Sequence, residues 1–259
     1  MYSNSNQSIR PRRIAFAVAL ATLIACACLA ARPASAQFAD PDQWGTDGQV
    51  VALARDGNLL YAGGAFTYTG PPNGACVALS LGDGTPLPGW PRFIGNVDAI
   101  VTDGHGGWFV GGLFTGVNGA SRANLVHLRA DGAVDPSLPE TDGEVRALAL
   151  VGDTLYLGGD FLHVDGFPRG RVAAIDVTGG GVTAWNPGAS SPVYALLALG
   201  GRLYSGGSFA TLAGQARSHL GAFALDTGAL ESWAPGTNGN VNAMAAGQGV
   251  LYLGGYFSS

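Results

Sequence analysis

A serine between glycines and an aromatic is the nearest this chain comes to a nucleophile. Gly206-Gly207-Ser208-Phe209-Ala210 is one residue short of the Gly-x-Ser-x-Gly elbow, where a strand-to-helix turn exposes the hydroxyl for acyl transfer. The same slot holds Ala65, Leu113, Asp160 and Tyr256 elsewhere in the chain. No helix signal follows Ser208, so the context an elbow requires is missing. The four histidines, His105, His127, His163 and His219, have no spacing that metal ligands use. Asp160, Asp165 and Asp176 stand close in sequence to Arg169 and Arg171. Paired carboxylates could move protons, but charge compensation by those arginines is the plainer expectation. Asp131, Asp135, Glu140, Asp142 and Glu144 form an acidic strip. Calcium is the conceivable guest there, although the ligand spacing of a calcium loop is not met. We therefore assign no catalytic, cofactor-binding or metal-ligating residue, and expect no cofactor and no enzyme activity.

Composition narrows the partners. Only 12% of residues are charged and 47% are hydrophobic, which is the opposite of the low-hydrophobicity, high-charge signature of disorder. The 42 glycines follow no three-residue period, so a collagen helix is excluded. All 13 basic residues are arginine, and the net charge is -5. Binding to nucleic acid or an anionic membrane draws on clustered cations, which an acidic, lysine-free chain does not supply.

The first 36 residues read as a signal peptide. Arg10, Arg12 and Arg13 precede an apolar run from Ile14 to Ala31, and Ala34-Ser35-Ala36 stands before Gln37, the small-x-small pattern of a cleavage site. Leu23-Ile24-Ala25-Cys26 also has the form of a lipoprotein box, which would anchor the chain through Cys26; apolar sequence continues beyond it, so this reading ranks second. Either way the chain is exported, to the periplasm, the cell surface or the outside. Cleavage would remove Cys26 and Cys28 and leave Cys76 alone, with neither a disulfide partner nor a zinc cluster. The remaining segment, 37–259, carries no further membrane span and is expected to be monomeric.

What positions any site in 37–259 is a repeat. Gly-Gly pairs begin at Gly63, Gly111, Gly158, Gly206 and Gly254. An aromatic stands two residues before each pair (Tyr61, Phe109, Tyr156, Tyr204, Tyr252), and a Phe three residues after its first glycine (Phe66, Phe114, Phe161, Phe209, Phe257). A Val-x-Ala unit precedes each at Val50, Val97, Val145, Val193 and Val241. Eleven residues after the Phe come Val77, Leu125, Val172 and Leu220, and thirteen further on Trp90, Leu138, Trp185 and Trp233. An arginine recurs at Arg122, Arg169 and Arg217, but the first copy has Gly74 there. The copies span 49–95, 96–142, 143–190, 191–238 and a partial 239–259.

Each copy spells strands. The Val-x-Ala segment alternates with period two, as a half-buried strand does. Asp56-Gly57 and Gly200-Gly201 supply hairpin turns. The second strand ends at the diglycine, which marks a bend or a close approach of a neighbouring backbone. A third strand of the Val172–Ile175 type follows, and a short fourth one is expected on the Trp slot, stopped by Pro91, Pro139, Pro187 or Pro235. The segment between Phe and third strand varies (Gly116-Val117-Asn118, His163-Val164-Asp165, Thr211-Leu212-Ala213) and reads as a loop suited to binding. The expected fold is all-β: a propeller of four-stranded antiparallel blades, four complete repeats plus part of a fifth, with a linear β-solenoid as its rival. Closing a five-blade ring would need on the order of 25 further residues, so a truncated chain is expected.

The second copy, Gly111-Gly112-Leu113-Phe114-Thr115, Asn118-Gly119, Ser121-Arg122 and Leu128-Arg129-Ala130-Asp131-Gly132-Ala133-Val134-Asp135, resembles the delta-60 repeat of bacterial exported β-propellers. The other copies, through residues 49–259, look like variants of it. The resemblance implies the propeller and brings no active site with it. The function to expect is an exported non-enzymatic binding or structural module, at the cell surface or outside, with a protein or glycan ligand. The alternative is a fragment of a propeller hydrolase or quinoprotein-like oxidoreductase whose active site lies in missing blades; a piece of a large adhesin is a third reading.

Overall fold

Five hairpins carry the repeat: Gln49–Asp56 with Leu59–Ala65, Phe93–Thr102 with Trp108–Val117, Val145–Val151 with Thr154–Gly159, Val193–Leu199 with Arg202–Gly207, and Val241–Gly247 with Val250–Gly255. The structure, a computed structural model, describes residues 48–66 and 75–258. Residues 1–36, read above as a signal peptide with Cys26, and Gly74 of the arginine slot lie outside them. No helix occurs among the described residues, so none there is long and apolar enough to cross a membrane. Gly200 and Gly201 turn their hairpin with φ of 59° and 78°, angles that favour glycine.

A third strand pairs antiparallel with the second in the first four copies: Cys76–Ser80, Leu125–Leu128, Val172–Asp176 and Leu220–Ala224. The fourth strand departs from expectation. It is the two-residue Val134–Asp135 and Gly181–Val182 in the second and third copies, and single bridges, Leu79 with Pro86 and Phe223 with Leu230, in the first and fourth. All of these precede the Trp slot, and in the first and third copies the indole is a wedge between sheets. Trp185 lies edge-on to Tyr156 of its own sheet and to Phe223 of the next, and its Nε1 donates to Gly228 O at 2.8 Å. Trp90 likewise meets Tyr61 and Trp108 across the first seam. A ring turned into a seam takes its backbone out of the ladder.

The segment expected to be a loop is also more ordered than that. His163–Val164 pairs with Phe167–Pro168, and Thr211–Leu212 with Gln215–Ala216. Asn118-Gly119, Asp165-Gly166 and Ala213-Gly214 all have positive φ, which is the two-residue hairpin turn. The arginine slot holds these hairpins to the outer strand: Arg169 Nη2 donates to Thr183 O at 2.5 Å and Arg217 Nη2 to Glu231 O at 2.6 Å. Arg122 reaches Leu138 O in the same way and adds an ion pair to Glu140 at 3.2 Å.

The larger core clusters run from one sheet to the next, while Ala62, Phe66 and Val77 form a small one within the first sheet. One cluster joins Tyr61, Cys76 and Ala78 to Val97, Trp108 and Phe114; the next joins Phe109 and Leu125 to Val145 and Leu155; a third joins Val172 to Val193 and Phe209. The diglycines make this stacking possible, each glycine for a separate reason. A Cβ on the first would lie 2.5–2.7 Å from Cγ1 of the next copy's valine at Gly63/Val97, Gly111/Val145, Gly158/Val193 and Gly206/Val241. Those four valines are fully buried, a gain of about 1.5–3 kcal/mol each. A Cβ on the second glycine would overlap a backbone carbonyl: that of Gln49, Asn96, Glu144, Pro192 or Asn240. Carbonyl and glycine meet because the register slips at every Val-x-Ala unit. The expected even alternation is therefore interrupted by a β-bulge, with x as the extra residue.

Candidate functional site

A bulge re-aims a side chain, and here it does so once per copy towards one place. The first strands lie side by side in series, and their bulge residues Val51, Asp98, Arg146, Tyr194 and Asn242 line a single axial cavity of about 620 Å3. Gln49 and Asn240, each just ahead of its Val-x-Ala unit, join them, as does Tyr256, which follows the last diglycine. Residues of the first and last sheets thus share one wall, although no ladder joins those sheets among the described residues.

The chemistry of the cavity centres on Arg146. Its Nε pairs with Asp160 at 2.5 Å, its Nη2 with Glu144, and its guanidinium lies over the Tyr194 ring at 5.4 Å. Asp98 approaches Glu144 from the neighbouring sheet within hydrogen-bonding reach, and Asp98 Oδ2 is buried. Two carboxyl groups can face each other only if one holds a proton between them. Burial, reinforced by Asp98 and Asp160 and opposed by Arg146, pushes the Glu144 carboxyl up to about 8. The cavity wall presents one carboxyl group, Asp98, one guanidinium, amides and phenols, with Glu144 and Asp160 bound to Arg146 outside the lining.

Of the residues singled out from sequence, Asp160 alone among the paired carboxylates reaches this cluster. Its partner is Arg146, which corrects the expected compensation by Arg169 and Arg171; those two bond carbonyls, Arg171 to Ala189 O at 3.0 Å. Asp176 instead closes its own turn through Thr178. The acidic strip is dispersed by the fold: Asp131 caps Ala133 N, Glu140 pairs with Arg122, Asp142 with His163, and Glu144 with Arg146. Asp135 takes bonds from Ser137 and faces His127, which hold its carboxyl well below the usual range, the Ser137 N–H first. His127 sits between Asp103 at 3.0 Å and Asp135 at 3.3 Å, stacked on Phe109. His219 bonds Thr237 O, and His105 bonds the same Asp103 as His127 through its backbone carbonyl, while His163 and His219 lie elsewhere. Ser208 follows a strand, and its N–H is bonded to Pro192 O. Cys76 is buried, and burial raises its thiol to about 12, so it stays protonated.

Asp98, Arg146, Tyr194 and Asn242 were not singled out from sequence. Their signal was present all the same: within a unit that keeps its Val and Ala five times, the middle residue changes every time.

Small sheets stacked through shared seams, their first strands grouped at an axial cavity, make the described part of the chain a β-propeller. Residues 106–138 match the family model described as a β-propeller domain of unknown function, DUF5122. The chain is similar in fold to the extracellular domain of a one-component system, BT4673 of B. thetaiotaomicron. The TM-score is 0.53 at 16% identity, over 83% of this chain and 28% of that one. It also aligns with the computationally designed protein Ika8 at 16% identity and a TM-score of 0.49, covering 81% of this chain and 69% of that one. No curated protein matches the chain.

Proposed function

We propose that this chain is an exported, non-enzymatic binding module of the delta-60 repeat type. Its four-stranded blades, four complete and a fifth in part, act as a frame for a ligand site in the axial cavity. The observation that carries this reading is the division of labour within the repeat. Positions that fill seams are the same from copy to copy, whereas the bulge position differs in every copy and delivers five different side chains to one cavity. A ligand site needs such heterogeneity and a packing seam does not. The reading of residues 1–36 as a signal peptide supports export.

Screening the full chain against glycan and peptide arrays tests the reading, with Tyr194→Ala/Asn242→Ala as the cavity variant. Binding should be lost in that variant and kept when Phe167 on the outlying hairpin is replaced by Ser. The opposite pattern would move the site to the hairpins. Turnover of a glycoside or ester that disappears in Glu144→Gln would replace a binding module with an enzyme, since a raised Glu beside a second carboxylate is also an acid–base arrangement.

A further inference from the structure

In three copies an alanine of the third strand stands opposite the repeat's aromatic: Ala78 opposite Tyr61, Ala174 opposite Tyr156 and Ala222 opposite Tyr204. In each of these the indole of the Trp slot meets that tyrosine, Trp90 at 4.7 Å, Trp185 at 5.3 Å and Trp233 at 5.1 Å. The second copy changes both residues together. Its Trp slot holds Leu138, and the residue opposite Phe109 is His127, whose ring stacks on Phe109 at 4.5 Å and 23°. We infer that His127 stands in for the missing indole, and that its charge makes the outer strand of the second sheet releasable by loss of a proton. This does not depend on what the axial cavity binds.

The imidazole is gripped from two sides. Nε2 faces Asp103 Oδ2 at 3.0 Å, and Nδ1 faces Asp135 Oδ2 on the outer strand at 3.3 Å. At most 19% of each of the three side chains is exposed. An ionised carboxylate only accepts, so both contacts are hydrogen bonds only when both ring nitrogens carry hydrogen. Both carboxyl groups lie below the usual range. The Ser137 N–H leads for Asp135; for Asp103 burial is outweighed by His127 and the His105 and Gly107 N–H groups. The other charged or titratable groups at the clamp are Arg129, 3.4 Å from Asp135 Oδ1, and His105, bonded to Asp103 O. The third sheet contributes Leu155 and Ile175 to the cluster around Phe109. A neutral ring has one donor, which leaves its other nitrogen facing a carboxylate oxygen, lone pair to lone pair. The outer strand joins its sheet through two residue pairs, His127 with Asp135 and Leu128 with Val134. Losing the Asp135 arm as pH rises therefore opens this strand, while sheets closed by an indole keep theirs.

Amide hydrogen exchange of the full chain between about pH 6 and about pH 9 decides this. The quantity to follow is protection in 125–135 relative to 172–182, the matching strands of the third sheet, which cancels the intrinsic pH dependence of exchange. That ratio should fall about tenfold or more as pH rises. Asp103→Asn should abolish the fall, because an amide can donate to the unprotonated nitrogen and so suits the neutral ring. His127→Ala should lose protection at every pH. Adding Leu138→Trp to it rebuilds the alanine–indole pair of the other copies and should restore protection without pH dependence. A constant ratio in the wild type overturns the inference, as does a fall that persists in Asp103→Asn. A double variant that folds but exchanges like His127→Ala would strike out the exchange of indole for imidazole. If it loses its thermal transition, the wild-type profile and Asp103→Asn carry the decision.

Discussion

Val145 and Arg146 are neighbours on one strand and belong to different regions of the molecule. Val145 is fully buried in the seam against Gly111, and the same valine returns in every copy. Arg146 projects into the axial cavity, and its counterparts are Val51, Asp98, Tyr194 and Asn242. In the seam, one glycine must accept one valine at close range, so the pair tolerates no alternatives. In the cavity no side chain has to fit a glycine socket, so side chains differ from copy to copy. The bulge separates the two regions: one additional residue per strand allows a repeat built for stacking to carry a surface free of that duty.

The last sheet shows what the seam contributes. Among the described residues Gly254 meets no valine, the nearest atom being 3.7 Å from a Cβ placed there. Tyr252 is 59% exposed where the corresponding Tyr61 is 5% and Phe109 2%. An identical sequence motif is therefore buried or open according to whether a neighbour's valine sits on it.

The largest expected effect comes from filling a socket. Gly158→Ala should destabilise the fold by about 1–3 kcal/mol through overlap with Val193, whereas Gly254→Ala should change it by less than about 0.5 kcal/mol. Urea unfolding of the two variants makes the comparison, and equal losses would break the distinction between an occupied socket and an open one. A smaller effect is expected at the second sheet in acid. Asp135 and Asp103 both lie below the usual carboxylate range, so their stabilisation is present above about pH 4 and is lost as pH falls through the lowered values. Asp135→Asn should flatten the dependence of the melting temperature on pH in that window; an unchanged slope would remove His127 and its carboxylates from the account. A further pH effect belongs to the carboxyl pair beside the cavity. The Glu144 carboxyl is raised, so the folded state holds a proton that the unfolded chain has released. Stability from it is complete below about pH 4.5 and is lost as pH climbs through about 8. Glu144→Gln should therefore melt higher relative to wild type at pH 9 than at pH 5, with the fold intact in circular dichroism at both. Collapse of that variant would make the cavity part of the frame.

The strands and their turns were legible because period-two apolar patterning, Asp-Gly and Gly-Gly are local signals, and the 47–48-residue spacing of the diglycines shows the units are alike. The Asn118-Gly119 and Asp165-Gly166 hairpins were equally local, but were hidden within segments whose variability drew attention to binding. The Trp slot misled as a strand because an indole that packs sideways between sheets has the same letters around it as one that packs on a strand.

Sequence alone determined that the same small sheet is built again and again, since each copy carries its own strands, turns and glycines. It could not decide what stands beside what. Asp98 and Glu144 lie 46 positions apart, and they meet because the first strands of neighbouring sheets stand side by side. A shared proton, like a shared cavity, is a property of distance in space, and only the stacking of the sheets sets that distance.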